Sequence, residues 1–177
     1  MADIRPDDAP WLRHGWVEHT QLLLDSFRRW LGRDLIPHHG SAVDRARELF
    51  QAPFVVVSHG VETDPILSYG NRAALELWEF DIATLLATPS RLTAEPGERE
   101  DRARLLERTA RQGYADDYEG IRISRTGRRF RIRRAVVWNL VDAREERVGQ
   151  AATFEEWEFV GIRDQGASLR GAKGATD

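Results

Sequence analysis

Two extended stretches, a block of short helices and three further extended stretches predict an α+β fold: a five-stranded antiparallel sheet with helices on one face, preceded by an N-terminal helical extension. Three observations carry that expectation. The extended stretches are β-branched or alternating and are bounded by Gly, Pro, Asn or Asp. Helix starts and stops fall between the second and third of them. The first thirty residues repeat their apolar positions at three- and four-residue steps. A chain of 177 residues accommodates one core, divided by pattern into a helical extension at 1–52, the sheet-bearing core at 53–160 and a disordered tail at 161–177.

Asp8-Ala9-Pro10 is a helix start, with a capping carboxylate followed by a proline suited to the first turn. Trp16, Thr20, Leu23, Leu24, Phe27, Trp30 and Leu31 then form a stripe that Gly32 ends. The stripe must be buried on the chain's own sheet or on a second copy, so a homodimer through this helix stays open. Ser41 and Asp44 form a capping box ahead of Val43, Ala46, Leu49 and Phe50. Ala52-Pro53 stops that helix, and Phe54–Val57 is the first strand. Ile66–Tyr69 follows a turn-rich loop as the second strand, in a hairpin.

Asn71 caps a helix at Arg72–Trp78, a shorter piece spans Asp81–Leu86, and a longer helix at Pro96–Gln112 carries Ala103, Leu106 and Ala110 as its stripe. The last strands are Tyr118–Ser124, Arg129–Leu140 and Val148–Trp157, with Gly127 in the first connecting turn. On the fourth, unbroken alternation puts Phe130, Ile132, Val136, Trp138 and Leu140 on one face and Arg129, Arg131, Arg133 and Asn139 on the other. Arg134 interrupts the apolar face. A bulge that turns it outward, an internal acid such as Glu119 or Glu156, and an anionic ligand are the three ways to accommodate its charge.

Composition removes several classes of function. With no cysteine there are no disulfides, thiolate nucleophiles or Cys-type metal centres. A net charge of −3 gives no field that would hold the chain on nucleic acid or an anionic membrane, and no apolar run approaches the ~20 residues of a bilayer span. The N-terminal residues do not read as a signal peptide, so a cytoplasmic protein is expected. His14, His19, His38, His39 and His59 lack zinc-protease spacing, and no metal is expected. Walker, nucleophile-elbow and dinucleotide fingerprints are missing too, so no catalytic activity is expected. Residues 98–134 hold 12 arginines against 7 acids, whereas 142–164 hold 3 against 7. The arginine-rich hairpin is a phosphate surface or a salt-bridged face. It carries no exposed stacking aromatic apart from Phe130, which alternation puts inside, and this disfavours nucleic acid.

Seven ordered blocks resemble one family: Phe54-Val55-Val56-Val57-Ser58-His59-Gly60, Tyr69-Gly70-Asn71-Arg72-Ala73-Ala74-Leu75-Glu76-Leu77-Trp78, Pro89-Ser90-Arg91-Leu92-Thr93, Gly120-Ile121-Arg122-Ile123-Ser124, Gly127-Arg128-Arg129-Phe130, Val137-Trp138-Asn139-Leu140 and Gly149-Gln150-Ala151-Ala152. Together, over about 22–159, they resemble the MEKHLA domain, a PAS-related family of stand-alone bacterial proteins and of the C-termini of plant homeodomain-zipper regulators. The resemblance implies a sensory or regulatory module that binds a small molecule or a protein partner. It also implies that the first strand lies beside the last.

Flavin-binding PAS domains contact their ring through amides on the late strands, so Asn139 and Gln150 are candidate ligand contacts, with an interstrand anchoring role as the other reading. The reactive cysteine of light-driven adduct chemistry is not in the chain, and the long helix has no histidine for haem. Tyr69, Trp78 and Trp138 line a pocket or fill a core, Arg134 is the candidate anion contact, and His59 is a backbone anchor or a switch. The cofactor, if any, is unspecified by these residues. The alternative from another class is a small cone-shaped α+β enzyme resembling the ketosteroid isomerase group, with an inward Asp or His as acid or base. Strand order separates the two.

Overall fold

The computed structural model describes residues 9–161; the cap expected at Asp8 and nearly all of the 161–177 tail lie outside the described residues. Pro10–Leu12 makes a single 3-10 turn, and Arg13 is extended before helix α1 begins at His14–Leu31. The expected continuous helix is therefore broken at Arg13, where Trp11 turns back onto Phe50 at 5.5 Å. Gly32 ends α1 at φ 67°. Helix α2, Ala42–Gln51, starts on the Ser41–Asp44 capping box.

Strands β1 (Val55–His59) and β2 (Leu67–Gly70) form the hairpin. Helices α3 (Arg72–Trp78), α4 (Ile82–Leu85) and α5 (Arg99–Gln112) follow, and then strands β3 (Tyr114–Ile123), β4 (Arg129–Val141), β5 (Arg147–Phe154) and β6 (Glu156–Phe159). The sheet order is β2-β1-β5-β4-β3, with β6 on β4. β1 pairs antiparallel with β5 from Val55↔Phe154 to His59↔Gln150, the adjacency that the resemblance implies.

Three local expectations are corrected. The last extended stretch is two strands: β5 pairs with β4 at 136–141, and β6 with β4 at 130–133. The break at Glu155 falls opposite the irregular Arg134–Ala135 step. The stripe of α5 is also rotated. Leu105 and Thr109 are buried and Ala103 is exposed, so the helix lies with Arg102, Leu105, Leu106 and Thr109 toward the sheet.

The third correction sets the geometry of the molecule. Arg134 adopts φ 51° and is exposed, pairing with Glu156 at 3.4 Å. The extra residue inverts the alternation of β4. Phe130 and Ile132 share a face with Ala135, Val137 and Asn139, and Val136, Trp138 and Leu140 turn to the other. Unbroken alternation had put Trp138 beside Phe130.

Both faces of the sheet are covered. Helices α3 and α5 pack on one, over Val55, Ala135 and Phe154; α1, with α2 beside it, packs on the other, over Val56, Tyr69, Trp138 and Leu140. Phe27 meets Trp138 edge to face at 5.0 Å, Trp30 Nε1 donates to Asn139 O, and Val141 N donates to Ser26 Oγ. Gly113, at φ 98°, lies where a Cβ would come within 2.5 Å of the Trp30 ring, so only glycine fits. The α1 stripe is thereby buried on the chain's own sheet. Among the described residues no helix is long and apolar enough to cross a membrane.

Candidate functional site

Small residues on the floor leave room under α5. β1, β5 and β4 run side by side, and their inward rows are His59–Gln150–Asn139 and Val57–Ala152–Val137. Alanine at 135 and 152, where a larger aliphatic side chain would reach the helix, keeps open a cavity of about 50 Å³. Arg102, Leu105 and Leu106 of α5 roof it, Trp78 of α3 closes one side, and Tyr118 and Arg122 of β3 close another.

The end row is held by amides. Gln150 Nε2 donates to Asn139 Oδ1 at 3.0 Å and to Leu106 O at 2.8 Å, while Asn139 Nδ2 donates to Ala110 O at 3.2 Å. Two strand side chains thus hold two carbonyls of α5. Beside them, His59 donates from Nδ1 to Gly60 O at 2.8 Å; a carbonyl can only accept, so this nitrogen carries the proton. In the neutral ring Nε2 is then a bare acceptor, and it is buried without a partner. Burial lowers the His59 pKa to about 4, with Arg102 and Arg147 acting in the same direction and the Gly60 carbonyl and Glu62 against it. Trp78 Nε1 is a second buried atom without a partner.

Arg122, only 6% exposed, donates to Tyr118 Oη at 3.1 Å and to Ile121 O, and stacks on the Tyr118 ring. Gly120 makes this possible, since a Cβ there would lie 2.5 Å from Tyr118 Oη and 3.1 Å from Arg122 Nη1. Burial, and next the positive charge of Arg122, lower Arg102 to about 10, which leaves it charged at neutral pH. The outer hairpin is different. Arg128, Arg129, Arg131, Arg133 and Arg134 each meet a glutamate, from Glu79, Glu95, Glu119, Glu156 and Glu158.

The structure brings Trp78, His59 and Gln150 to the cavity, with Asn139 one hydrogen bond away. It does not bring Tyr69, Trp138 or Arg134. Tyr69 is fully buried under α1, stacked on His19 and 4.8 Å from Trp16, and burial pushes its phenol pKa up. Trp138 lies under α1 because of the β4 bulge, and Arg134 is on the surface for the same reason. Sequence reasoning missed Arg102, Arg122 and Tyr118. Their signals were Arg102 at three and four residues before Leu105 and Leu106, and a glycine flanked at two-residue spacing by Tyr118 and Arg122. It also missed a serine–histidine pair, His19 Nε2 to Ser58 Oγ at 2.9 Å. Ser58 is 1% exposed and also bonded to Ser68, so this pair fastens α1 to β1. Among the described residues no cluster of His, Asp and Glu could hold a metal.

Comparison with known proteins agrees with this architecture. A homeobox-leucine zipper protein of Arabidopsis thaliana, ATHB-9, is 25% identical over 145 residues, covering 75% of this chain but 17% of that protein. The PAS domain of a Colwellia psychrerythraea protein superposes with a TM-score of 0.55 at 14% identity, covering 66% of this chain and 94% of its own. A light-oxygen-voltage domain studied with a flavin analogue gives 0.52 at 15% identity, covering 71% and 91%. These two likenesses concern the fold. The family model of the MEKHLA domain matches residues 17–159, and on that match the chain belongs to the MEKHLA domain family.

Proposed function

We propose that this protein is a PAS-like sensory module without catalysis of its own, in which a small molecule entering the cavity under α5 changes how that helix sits on the sheet. Two residues that line the cavity, His59 and Trp78, carry buried polar atoms without a partner, Nε2 and Nε1, and unlike the unpartnered atoms of Trp16, Tyr69 and Trp138 on the α1 side of the sheet they belong to the border of an open space, which supports this reading. Buried polar groups are nearly always hydrogen-bonded, so a place where two are left open is a place prepared for a partner. Gln150 is the coupling element. An occupant that competes for its amide frees the Leu106 carbonyl, and the packing of α5 with the free carbonyl becomes the favoured one. A protein partner reading the position of α5 would receive the signal.

A flavin does not fit. Sites for drug-sized ligands occupy about 300–1,000 Å³, far above the roughly 50 Å³ present here, and no cysteine is available for an adduct. The matched glutamates of the outer hairpin support a salt-bridged face there rather than a nucleic-acid surface. Burial of the α1 stripe leaves only the polar face of that helix for a homodimer. The fold gives no support to the cone-shaped enzyme alternative: β1 lies beside β5, and no Asp lines the cavity. A protein acting in the cytoplasm is consistent with this reading.

Ala152→Leu tests it by filling the cavity at the centre of the floor. Native mass spectrometry of freshly purified protein is expected to show a bound small molecule in the parent chain and none in the variant. Equal occupancy of both chains would remove the cavity from the proposal.

A further inference from the structure

The polar groups around the cavity are unbalanced. Arg102 reaches it from α5 and Arg122 from β3, and guanidinium groups only donate. Trp78 Nε1 is a third donor. No Asp or Glu lines the cavity, and neither arginine has a carboxylate partner among the described residues. This contrasts with the outer hairpin, where five successive cations are matched by glutamates. Two like charges held near one another in a partly desolvated place are stabilised by an anion between them. Ser58, Thr93, Tyr118 and Gln150 also line the cavity but have hydrogen-bond partners, whereas His59 Nε2, in a residue 7% exposed, is an acceptor without one. The walls are otherwise aliphatic, with Val57, Leu67, Leu105 and Val137.

We propose that the cavity takes a compact organic carboxylate, its charged end held by Arg102 and Arg122, its aliphatic body against Val57 and Val137, and a hydroxyl on that body donating to His59 Nε2. This inference rests on the sensory reading of the same cavity and adds the chemistry of the ligand. Charge selects an anion, the aliphatic walls select an organic one over inorganic phosphate or sulfate, and the bare imidazole nitrogen selects a hydroxy acid. A guanidinium fork suits a carboxylate in particular, because two parallel N–H donors match its two oxygens.

The test is titration of the full chain at pH 7 with acetate, glycolate and acetamide, two-carbon probes matched to a cavity of about 50 Å³, and with sulfate, followed by calorimetry and by the shift in melting temperature. Acetate is expected to bind at least tenfold more tightly than its uncharged amide and than sulfate, and glycolate more tightly still. Arg102→Gln and Arg122→Gln each weaken acetate by about 10- to 100-fold, the range for a hydrogen bond to a charged group. His59→Phe abolishes the advantage of the hydroxy acid and leaves acetate binding. Because Arg122 is buried, Arg102→Gln, on a partly exposed residue, decides the matter if Arg122→Gln fails to fold. Equal binding of amide and acid, binding of sulfate equal to that of acetate, or an unchanged affinity in Arg102→Gln overturns the proposal. If the amide binds and Ala152→Leu blocks it, the carboxylate inference fails while the sensory reading stands. If none of the four compounds binds and the purified chain carries no molecule, both fail.

Discussion

Asn71 shows how much one side chain joins. Its Oδ1 accepts from Ala74 N at 3.2 Å, capping α3, and from Val56 N at 3.0 Å; its Nδ2 donates to Phe54 O at 2.7 Å and to Leu49 O at 3.2 Å. One fully buried amide therefore links the end of α2, the start of β1 and the start of α3. Asn71→Ala removes the side-chain partner of four backbone groups, of which Leu49 O keeps Ala52 N at 3.4 Å, and is expected to cost about 3–5 kcal/mol, given about 1–3 kcal/mol for each buried group left unsatisfied and partial relief by water. Urea unfolding checks it, and a loss below about 1 kcal/mol would contradict the network. The cap was legible in the sequence, since Asn before an apolar helical run has a known local meaning. The two bonds to residues 17 and 22 positions earlier were not, because nothing local encodes them.

At the level of elements, β4 carries the clearest case of a pattern overridden by backbone geometry. A non-glycine residue in the left-handed region costs roughly 1–2 kcal/mol. Arg134→Gly is accordingly expected to raise stability by up to about 1 kcal/mol, the exposed pair with Glu156 contributing little. Arg134→Val, β-branched at positive φ, should lower stability by about 1–2 kcal/mol or more. Thermal melts of the two variants moving in the same direction would refute the bulge. The charge in an otherwise apolar row was visible in the sequence, and an outward bulge was one of three ways to place it. Choosing among them required the pairing of β6 with the first half of β4, a contact between distant segments. The α5 stripe was misjudged for a related reason: on a helix with few apolar residues, Arg102 and Thr109 complete the buried face, and periodicity counts neither as apolar. The candidate site divides along the same line. Trp78, His59 and Gln150 lie on regular stretches before or beyond the bulge, whereas Tyr69 and Trp138 could be assigned a face only once α1 had one.

For the molecule as a whole, one histidine is withdrawn from water on each side of the sheet, His59 buried and His19 half-buried. Burial lowers His59, on the cavity side, and His19, on the α1 side, from 6.5 to about 4. Unfolded, both bind protons near pH 6.5; folded, they resist until about pH 4. Across that window the unfolded chain holds more protons, so folding stability is fully present above about pH 6.5 and declines as the pH falls toward 4, by about 2–3 kcal/mol per histidine. The groups facing His59 are Arg102 of α5, Arg147 of β5 and Glu62 of the β1–β2 loop, so any ligand anion beside Arg102 should oppose this loss. Chemical denaturation at pH 4.5 and pH 7.5 is expected to show the decline, and His19→Gln/His59→Gln to flatten it. An unaltered slope in that double variant would refute the assignment.

The separation of indoles by the sheet has an optical consequence. Trp78 borders the cavity, whereas Trp138 and Trp30 emit from the opposite layer and touch no occupant. A spectral change confined to Trp78 would report contact, and one that also reaches Trp138 or Trp30 would report movement relayed through the strands. Single-tryptophan versions of the chain could therefore time arrival and response separately, without an added dye.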